Sequence, residues 1–242
     1  PDKIEKNMAA RMEQKQKELY HAHAQRLALM LQNQTEEEFA DSRFQVLSEL
    51  TRLRQLCCDP ALVYENYEGG SAKLDLCIEL IQSAVESGHK ILLFSQFTSM
   101  IEILTARLQE ESISCFVLQG STKKEQRAQM VEQFNRDDTS VFCISLKAGG
   151  TGLNLTGADI VIHYDPWWNV AVENQATDRA HRIGQKNVVT VYKLIAKGTI
   201  EEKIIKLQQM KEELAEEILS GDEIKTASFQ REELLELLEE RF

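Results

Sequence analysis

Val141-Phe-Cys-Ile-Ser-Leu-Lys-Ala-Gly-Gly-Thr-Gly-Leu-Asn-Leu-Thr156 starts as a short apolar run and breaks into a glycine-rich loop. A run of that length bounded by glycines reads as a buried strand. In such a loop, backbone N–H groups can approach a phosphate with no Cβ in the way. Further on, Gln175-Ala-Thr-Asp-Arg-Ala-His-Arg-Ile-Gly-Gln185 sets Gln175, Asp178, Arg179 and Arg182 at i, i+3, i+4, i+7 spacing. On a helix all four project from one face, with Val172, Ala176, Ala180 and Ile183 on the other. A helix that packs on one side and offers a glutamine and two arginines on the other suits phosphate recognition. The arginine fork stays charged and can contact two oxygens at once.

Around these two segments short apolar strands alternate with amphipathic helices. The pattern predicts a helix over 71–87, capped by Ser71 and closed by Gly88, then strand 90–95, helix 98–110, strand 114–118 and helix 122–134. Strands 140–145 and 159–163, helix 170–182 and strand 188–195 follow. Thr122 with Glu125 and Thr199 with Glu202 have the spacing of capping boxes. The fold class is therefore α/β, a mostly parallel sheet covered by helices on both faces. Ligands of such sheets gather at the carboxyl ends of the strands, where both quoted segments fall.

Residues 1–66 read as an apolar opening segment followed by helices. Leu19, His23, Arg26, Leu27 and Met30 recur at helical spacing, and Phe39, Val46, Leu47, Leu50, Leu53 and Leu56 do so again, until Asp59-Pro60 stops the second helix. Residues 67–198 hold the alternation. Residues 199–242 read as a long helix, a break at Gly221 and a short acidic helix.

The net charge of -11 at first speaks against a nucleic-acid partner. Its distribution matters more, because residues 201–242 hold 13 acidic and 6 basic side chains. The excess acid is concentrated in a tail that need not touch a polyanion, although binding by this chain alone should be weak. No apolar run approaches the roughly 20 residues of a membrane helix, and no signal peptide is expected. Five cysteines with no Cys-x-x-Cys pair suggest reduced thiols, without zinc or a disulfide framework.

The succession of strand, glycine loop, strand, aromatic loop and Gln-x3-Arg-x2-Arg helix resembles the second RecA-like lobe of superfamily-two helicases. Asp165-Pro-Trp-Trp-Asn169 and Ala180-His-Arg-Ile-Gly-Gln185 narrow the resemblance to the Swi/Snf-type double-stranded DNA translocases. It implies a helical protrusion over 1–66, the RecA-like lobe over 67–198 and a C-terminal helical brace over 199–242. It also implies that Arg179 and Arg182 act as catalytic arginine fingers on ATP, with Gln175, Gly150, Gly152 and Asn154 beside the nucleotide. The DNA side would be Ser95, Gln96, Gly120, Ser121, Lys124, Arg127, Ser145, Lys147, Thr151, Trp167 and Trp168, with one tryptophan packed in the core and the other near the groove. Relatives normally carry Pro at the position of Val170, a departure that bears on the rigidity of that loop.

No Gly-x4-Gly-Lys-Ser/Thr loop is present, and the one Asp-Glu pair, Asp222-Glu223, follows a helix and a glycine instead of a strand. The phosphate-loop lysine and the ligands of Mg2+ are therefore expected on a first RecA-like lobe of the same polypeptide, leaving this piece alone inactive. The expected partners are double-stranded DNA, that first lobe and a nucleoprotein or RNA polymerase, with no membrane. The compact lobe favours a bacterial nucleoid over a nucleus. A strand-separating helicase lobe and a non-catalytic acidic interaction module on the same fold remain the alternatives.

Overall fold

The computed structural model describes every residue except 147, 149–151, 218–229 and 240–242, and only the backbone of 211–217. The chain divides into two compact units, one of residues 1–9 and 74–195, the other of 10–73 and 196–242. Among the described residues, no helix is long and apolar enough to cross a membrane.

The first unit is built on a six-stranded sheet. Its strands are β1 (Lys3–Ala10), β2 (Ile91–Ser95), β3 (Cys115–Leu118), β4 (Val141–Ser145), β5 (Ile160–His163) and β6 (Val189–Ala196), in the order β1-β6-β5-β2-β4-β3. The pairs β2–β4, β2–β5, β3–β4 and β5–β6 are all parallel. Strands β2, β4 and β5 are buried along their whole length, as expected where both faces are covered. One face carries Leu92, Phe94, Phe142, Ile144, Val161, Val189 and Val191, packed with Phe134, Leu155, Ala176 and Ala180 into a single cluster. Period-two alternation turns Ile91, Leu93, Val141 and Cys143 to the opposite face. Helix α5 (Thr98–Glu110), whose Met100, Ile101, Leu104 and Leu108 are buried, lies against β2, β3 and β4.

Helix α4 (Ala72–Glu86) ends where the sequence places its stop. Gly88 takes φ +81°, its N–H bonds to Val85 O, and the N–H of His89 bonds to Ala84 O, the paired closure that a left-handed residue allows. The expected box at Thr122 does not form. Helix α6 (Lys124–Arg136) begins after Lys123 with no side-chain cap, and the Thr122 hydroxyl instead accepts from the Gln119 N–H at 3.1 Å. The opening segment is a second difference. Residues 3–10 form the edge strand β1, and Val189 N donates to Asp2 O while Lys197 N donates to Ala10 O, a constant step that makes β1 parallel to β6. Its Lys3, Glu5 and Lys6 are exposed, which keeps an open edge from recruiting another strand.

The second unit is helical: α1 (Gln14–Asn33), α2 (Glu36–Asp41), α3 (Arg43–Cys58), α8 (Ile200–Glu217) and α9 (Arg231–Leu238). The buried stripe of α1 is Gln16, Tyr20, His23, Ala24, Leu27 and Leu31. It is rotated from the expected one, because Gln16 is drawn inward by a 2.9 Å bond to Leu56 O and Arg26 stays outside. In α3, Val46, Leu50, Leu53 and Leu56 are buried as their spacing predicts, whereas Leu47 is exposed. A capping box closes the start of α2, with Thr35 Oγ1 accepting from Glu38 N and Glu38 accepting from Thr35 N. At α8 the box is displaced: Thr199 Oγ1 accepts from Glu201 N, and Glu202 reaches one residue further back to Gly198 N. The Lys73 ammonium and Glu201 carboxylate form an ion pair at 2.5 Å with both side chains buried, and Glu201 also accepts from Ala196 N.

Candidate functional site

Strand β2 lies between β4 and β5, with Ser95 opposite Ser145 and Phe94 opposite His163. The segments that leave these three strands therefore meet at one edge of the sheet. Asp165, just past β5, is the knot. Its carboxylate accepts from Ser95 Oγ at 2.5 Å and from Gln96 N at 3.2 Å, and Gln96 Nε2 donates to Pro166 O. Ser95, Gln96 and Ser145 are buried, so they serve this edge from inside. Their place in the motif was legible, but Asp165 as the residue that consumes Ser95 was not.

Helix α7 spans only Val170–Thr177. Asn169 caps it by accepting from Ala171 N at 2.9 Å. Buried Glu173 accepts from Trp167 N at 2.7 Å and pairs with Lys193 at 3.1 Å, tying the aromatic loop to β6. Trp167 and Trp168 are both half-buried, so the expected division of one core and one groove tryptophan is not visible in their exposure.

Beyond Thr177 the helix expected to reach residue 182 unwinds into tight turns, in which Arg179 N bonds to Ala176 O and Ala180 N to Thr177 O. Gln185 explains why. Its Nε2 donates to the carbonyls of Thr156, Ala158 and Ala180, and its Oε1 accepts from the N–H groups of Lys186 and Asn187. Five bonds to one amide draw the chain toward the loop after β4 and end the helical phase. Ile183 consequently stands 99% exposed, where continuous helical spacing placed it in the core. Ala176 and Ala180 are buried as expected.

The turns nevertheless bring the polar residues together. Gly152, Leu153, Gln175, Asp178, Arg179 and Arg182 line one open depression of about 280 Å³. Arg179 is 7% exposed, its guanidinium lies over the Phe94 ring at 5.6 Å, and its Nη1 is buried with no hydrogen-bond partner. Desolvation lowers its pKa from the usual arginine value. Arg182 is exposed and reaches Leu153 O only at 3.5 Å, so its head group remains available. Gly152 holds φ +97°, and exposed Asn154 gives its carbonyl to Asn135 Nδ2 at 2.8 Å. Gly150, Thr151 and Lys147 lie outside the described residues.

At the start of α6, Gly120, Ser121 and Lys124 are exposed. Arg127 is committed to its own fold: Nε donates to Thr122 O, Nη1 to Ala148 O at 2.8 Å, and Nη2 to the carbonyls of Gln119 and Gly120. It clamps the 119–122 turn to the glycine loop. Among the described residues, no group of three or more His, Cys, Asp or Glu side chains is placed to hold a metal ion.

With this geometry in view, the comparisons with known proteins are specific. The helicase conserved C-terminal domain matches residues 72–184. An uncharacterized ATP-dependent helicase of Mycoplasma pneumoniae is 45% identical over 202 residues, covering 82% of this chain and 19% of its own length. The chromatin-remodeling ATPase INO80 of Homo sapiens is 43% identical over 169 residues, covering 69% of this chain and 11% of its own. The chain thus spans about a fifth or less of these relatives. The SWI2/SNF2 ATPase core of Sulfolobus solfataricus, solved with double-stranded DNA, superposes with a TM-score of 0.82 at 33% identity over 100% of this chain and 51% of that one. The separate C-terminal domain of that ATPase matches over 100% of both chains, with a TM-score of 0.80 and 32% identity. A match of that extent makes the chain a member of the Swi2/Snf2 ATPase family, corresponding to its C-terminal RecA-like lobe.

Proposed function

We propose that this chain is the second motor lobe of an ATP-dependent translocase on double-stranded DNA, with Arg179 and Arg182 serving the nucleotide. The observation that carries the reading is Arg179, which lines a depression shared with Gln175 and Arg182 and whose Nη1 is buried with no hydrogen-bond partner. A buried guanidinium donor left unbonded costs roughly 1–3 kcal/mol or more, and a phosphate oxygen would satisfy it. ATP, when bound, supplies the phosphoanhydride whose hydrolysis drives movement. The chain's own part is electrostatic: Phe94 fixes Arg179, Arg182 adds a mobile second cation, and both would balance charge developing on the γ-phosphate. Gly150, Gly152 and Asn154 are assigned to the nucleotide side of the loop. The ligands of Mg2+ are assigned to the first lobe.

The DNA contacts we assign to Gly120, Ser121 and Lys124 at the start of α6, to Lys147 and Thr151, and to the Trp167–Trp168 loop. Ser95, Gln96, Ser145 and Arg127 would act on DNA indirectly, by holding those loops. The Sulfolobus relative solved with double-stranded DNA and the INO80 relative support a duplex track, as in a remodeller-like motor. Residues 1–66 and 199–242 would be the protrusion and brace, and a bacterial nucleoid is the compartment that fits best.

The test is steady-state ATPase of the intact enzyme beside its duplex affinity. Arg179→Ala and Arg182→Ala should lower kcat by about 10³ to 10⁵ if both are fingers, and the Lys variants should be impaired despite their charge. Gln175→Ala should do less, removing one neutral hydrogen bond of roughly 1 kcal/mol. Normal hydrolysis with lost DNA binding in both alanine variants would instead place this depression on the track.

A further inference from the structure

Within the helical unit, Arg11, Lys17, Lys197, Lys203 and Lys206 line a partly open cavity of about 410 Å³ together with Glu202 and Glu239. Its charge is opposite to that of the chain: five lysines and arginines face two glutamates, in a protein of net charge -11. Both polar struts of the wall are already spent. Glu202 caps Gly198 N at 3.0 Å, and the Lys203 ammonium donates to the carbonyls of Glu236 (2.7 Å) and Glu239.

The other four cations are uncommitted. Among the described residues Arg11, Lys17, Lys197 and Lys206 make no ion pair and no side-chain hydrogen bond, and all four are exposed at the rim. They come from four separate segments: the turn after β1, helix α1, the turn after β6 and helix α8. Backbone bonding holds two of these segments together, since Lys197 N donates to Ala10 O at 2.8 Å. Tyr20, buried, fixes a third by accepting from Ile200 N at 2.8 Å. Four like charges brought to one mouth repel each other, at a cost that falls when a multivalent anion enters between them. The volume lies within the range of small-ligand sites, and Met12, Leu237 and Leu238 give it apolar walls.

We propose that this cavity is a binding site for a compact polyphosphate-bearing anion, separate from the depression at Arg179 and independent of the function proposed above. One phosphate chain can span several ammonium groups at once, whereas a single carboxylate can satisfy only one or two.

The test is isothermal titration of the chain with sodium tripolyphosphate at low salt, without Mg2+. One site is expected, weakened about tenfold or more by the pair Arg11→Ala and Lys197→Ala, the loss of at least one charge-assisted contact. Arg11→Lys with Lys197→Arg should bind as the unaltered chain does, and Lys186→Ala, exposed and outside the cavity, should leave the titration unchanged. These substituted side chains are exposed, so melting temperatures should stay within about 2 °C, the scale of surface changes of a few tenths of a kcal/mol. A nucleoside triphosphate that binds more tightly than tripolyphosphate identifies a nucleotide as the source, and equal binding identifies an inorganic chain. The proposal is overturned by undiminished binding in the Arg11/Lys197 variant, by equal weakening in Lys186→Ala, or by sulfate competing at equal concentration. Displacement of tripolyphosphate by a short DNA duplex or an oligoglutamate through the same residues would also overturn it, since a macromolecule would then be the occupant.

Discussion

The guanidinium of Arg179 lies 5.6 Å from the centre of the Phe94 ring, so a core side chain of the central strand serves as the platform for the candidate catalytic cation. Phe94 also stacks on His163 at 5.5 Å. A ring in this position orients the cation without occupying its N–H donors. Phe94→Leu in the intact enzyme should reduce kcat by about 3- to 30-fold, corresponding to the roughly 0.5–2 kcal/mol of a partly desolvated cation–π contact. Phe94→Tyr, which keeps the face of the ring, should lose less if its hydroxyl is accommodated. Equal kcat in all three, measured at saturating duplex, would show that the platform has no catalytic part.

Lys124 and Arg127 should behave as opposites although both are basic and three residues apart. Lys124→Ala should leave stability unchanged and flatten the salt dependence of duplex binding by about one unit of slope. Arg127→Ala frees four carbonyls and should destabilise the fold by about 1–3 kcal/mol. Hydrogen exchange should also accelerate over 119–122 in that variant. Denaturant midpoints beside DNA titrations at several salt concentrations separate the two roles.

Stability should fall on acidification below neutrality. Burial is the first cause that lowers the pKa of His163 and of His23 below 6.5. Both are therefore neutral in the folded chain and take up a proton more readily when it unfolds. Their contribution is present above pH 6.5, is lost as pH falls from there toward the folded values, and levels off below them. His163→Asn, keeping a partner for Thr177, should flatten the pH dependence of the melting temperature between pH 7.5 and about 5.5 without removing it, because His23 still titrates. An unchanged slope would mean that His163 takes up its proton alike in the folded and unfolded chain.

Lys73 and Glu201 form a pair with side-chain exposures of 0% and 1%, so removing one partner leaves a buried charge. Glu201→Gln or Lys73→Met alone should cost about 3–5 kcal/mol, while Lys73→Met with Glu201→Leu should recover much of it. Urea midpoints of the three variants give the coupling directly, and additive losses would contradict the pairing.

The sheet and its order of elements were legible because apolar runs of strand length and helical spacing alternate without interruption from Ile91 to Ala196. The meeting of Gln175, Arg179 and Arg182 was legible too, but for an incomplete reason. Spacing put them on one continuous helix, whereas the helix ends at Thr177 and a buried amide, Gln185, folds the turns that present them. Nothing local in a Gly-Gln pair announces five bonds, two of them to Thr156 and Ala158 far back along the chain. The bonds of Arg127 were hidden for the same reason: a surface arginine at a helix start looks unengaged until its carbonyl partners are in place. The strand at Lys3–Ala10 was obscured by its exposed, charged side chains, since an edge strand lacks the apolar pattern of its buried neighbours.

That edge strand sets a condition on how the chain is made. The segment synthesised first in this sequence, Asp2 to Ala10, bonds to Val189–Lys197, almost the last part of the sheet to emerge. At roughly 5–20 residues per second, β1 waits about 10 to 40 s for its partner strand. Closing a loop of that length adds entropy cost to an already non-local topology. During that interval the charges of Lys3, Glu5 and Lys6 keep an unpaired ribbon soluble, so the same side chains that mark the finished edge also guard the nascent chain against premature association.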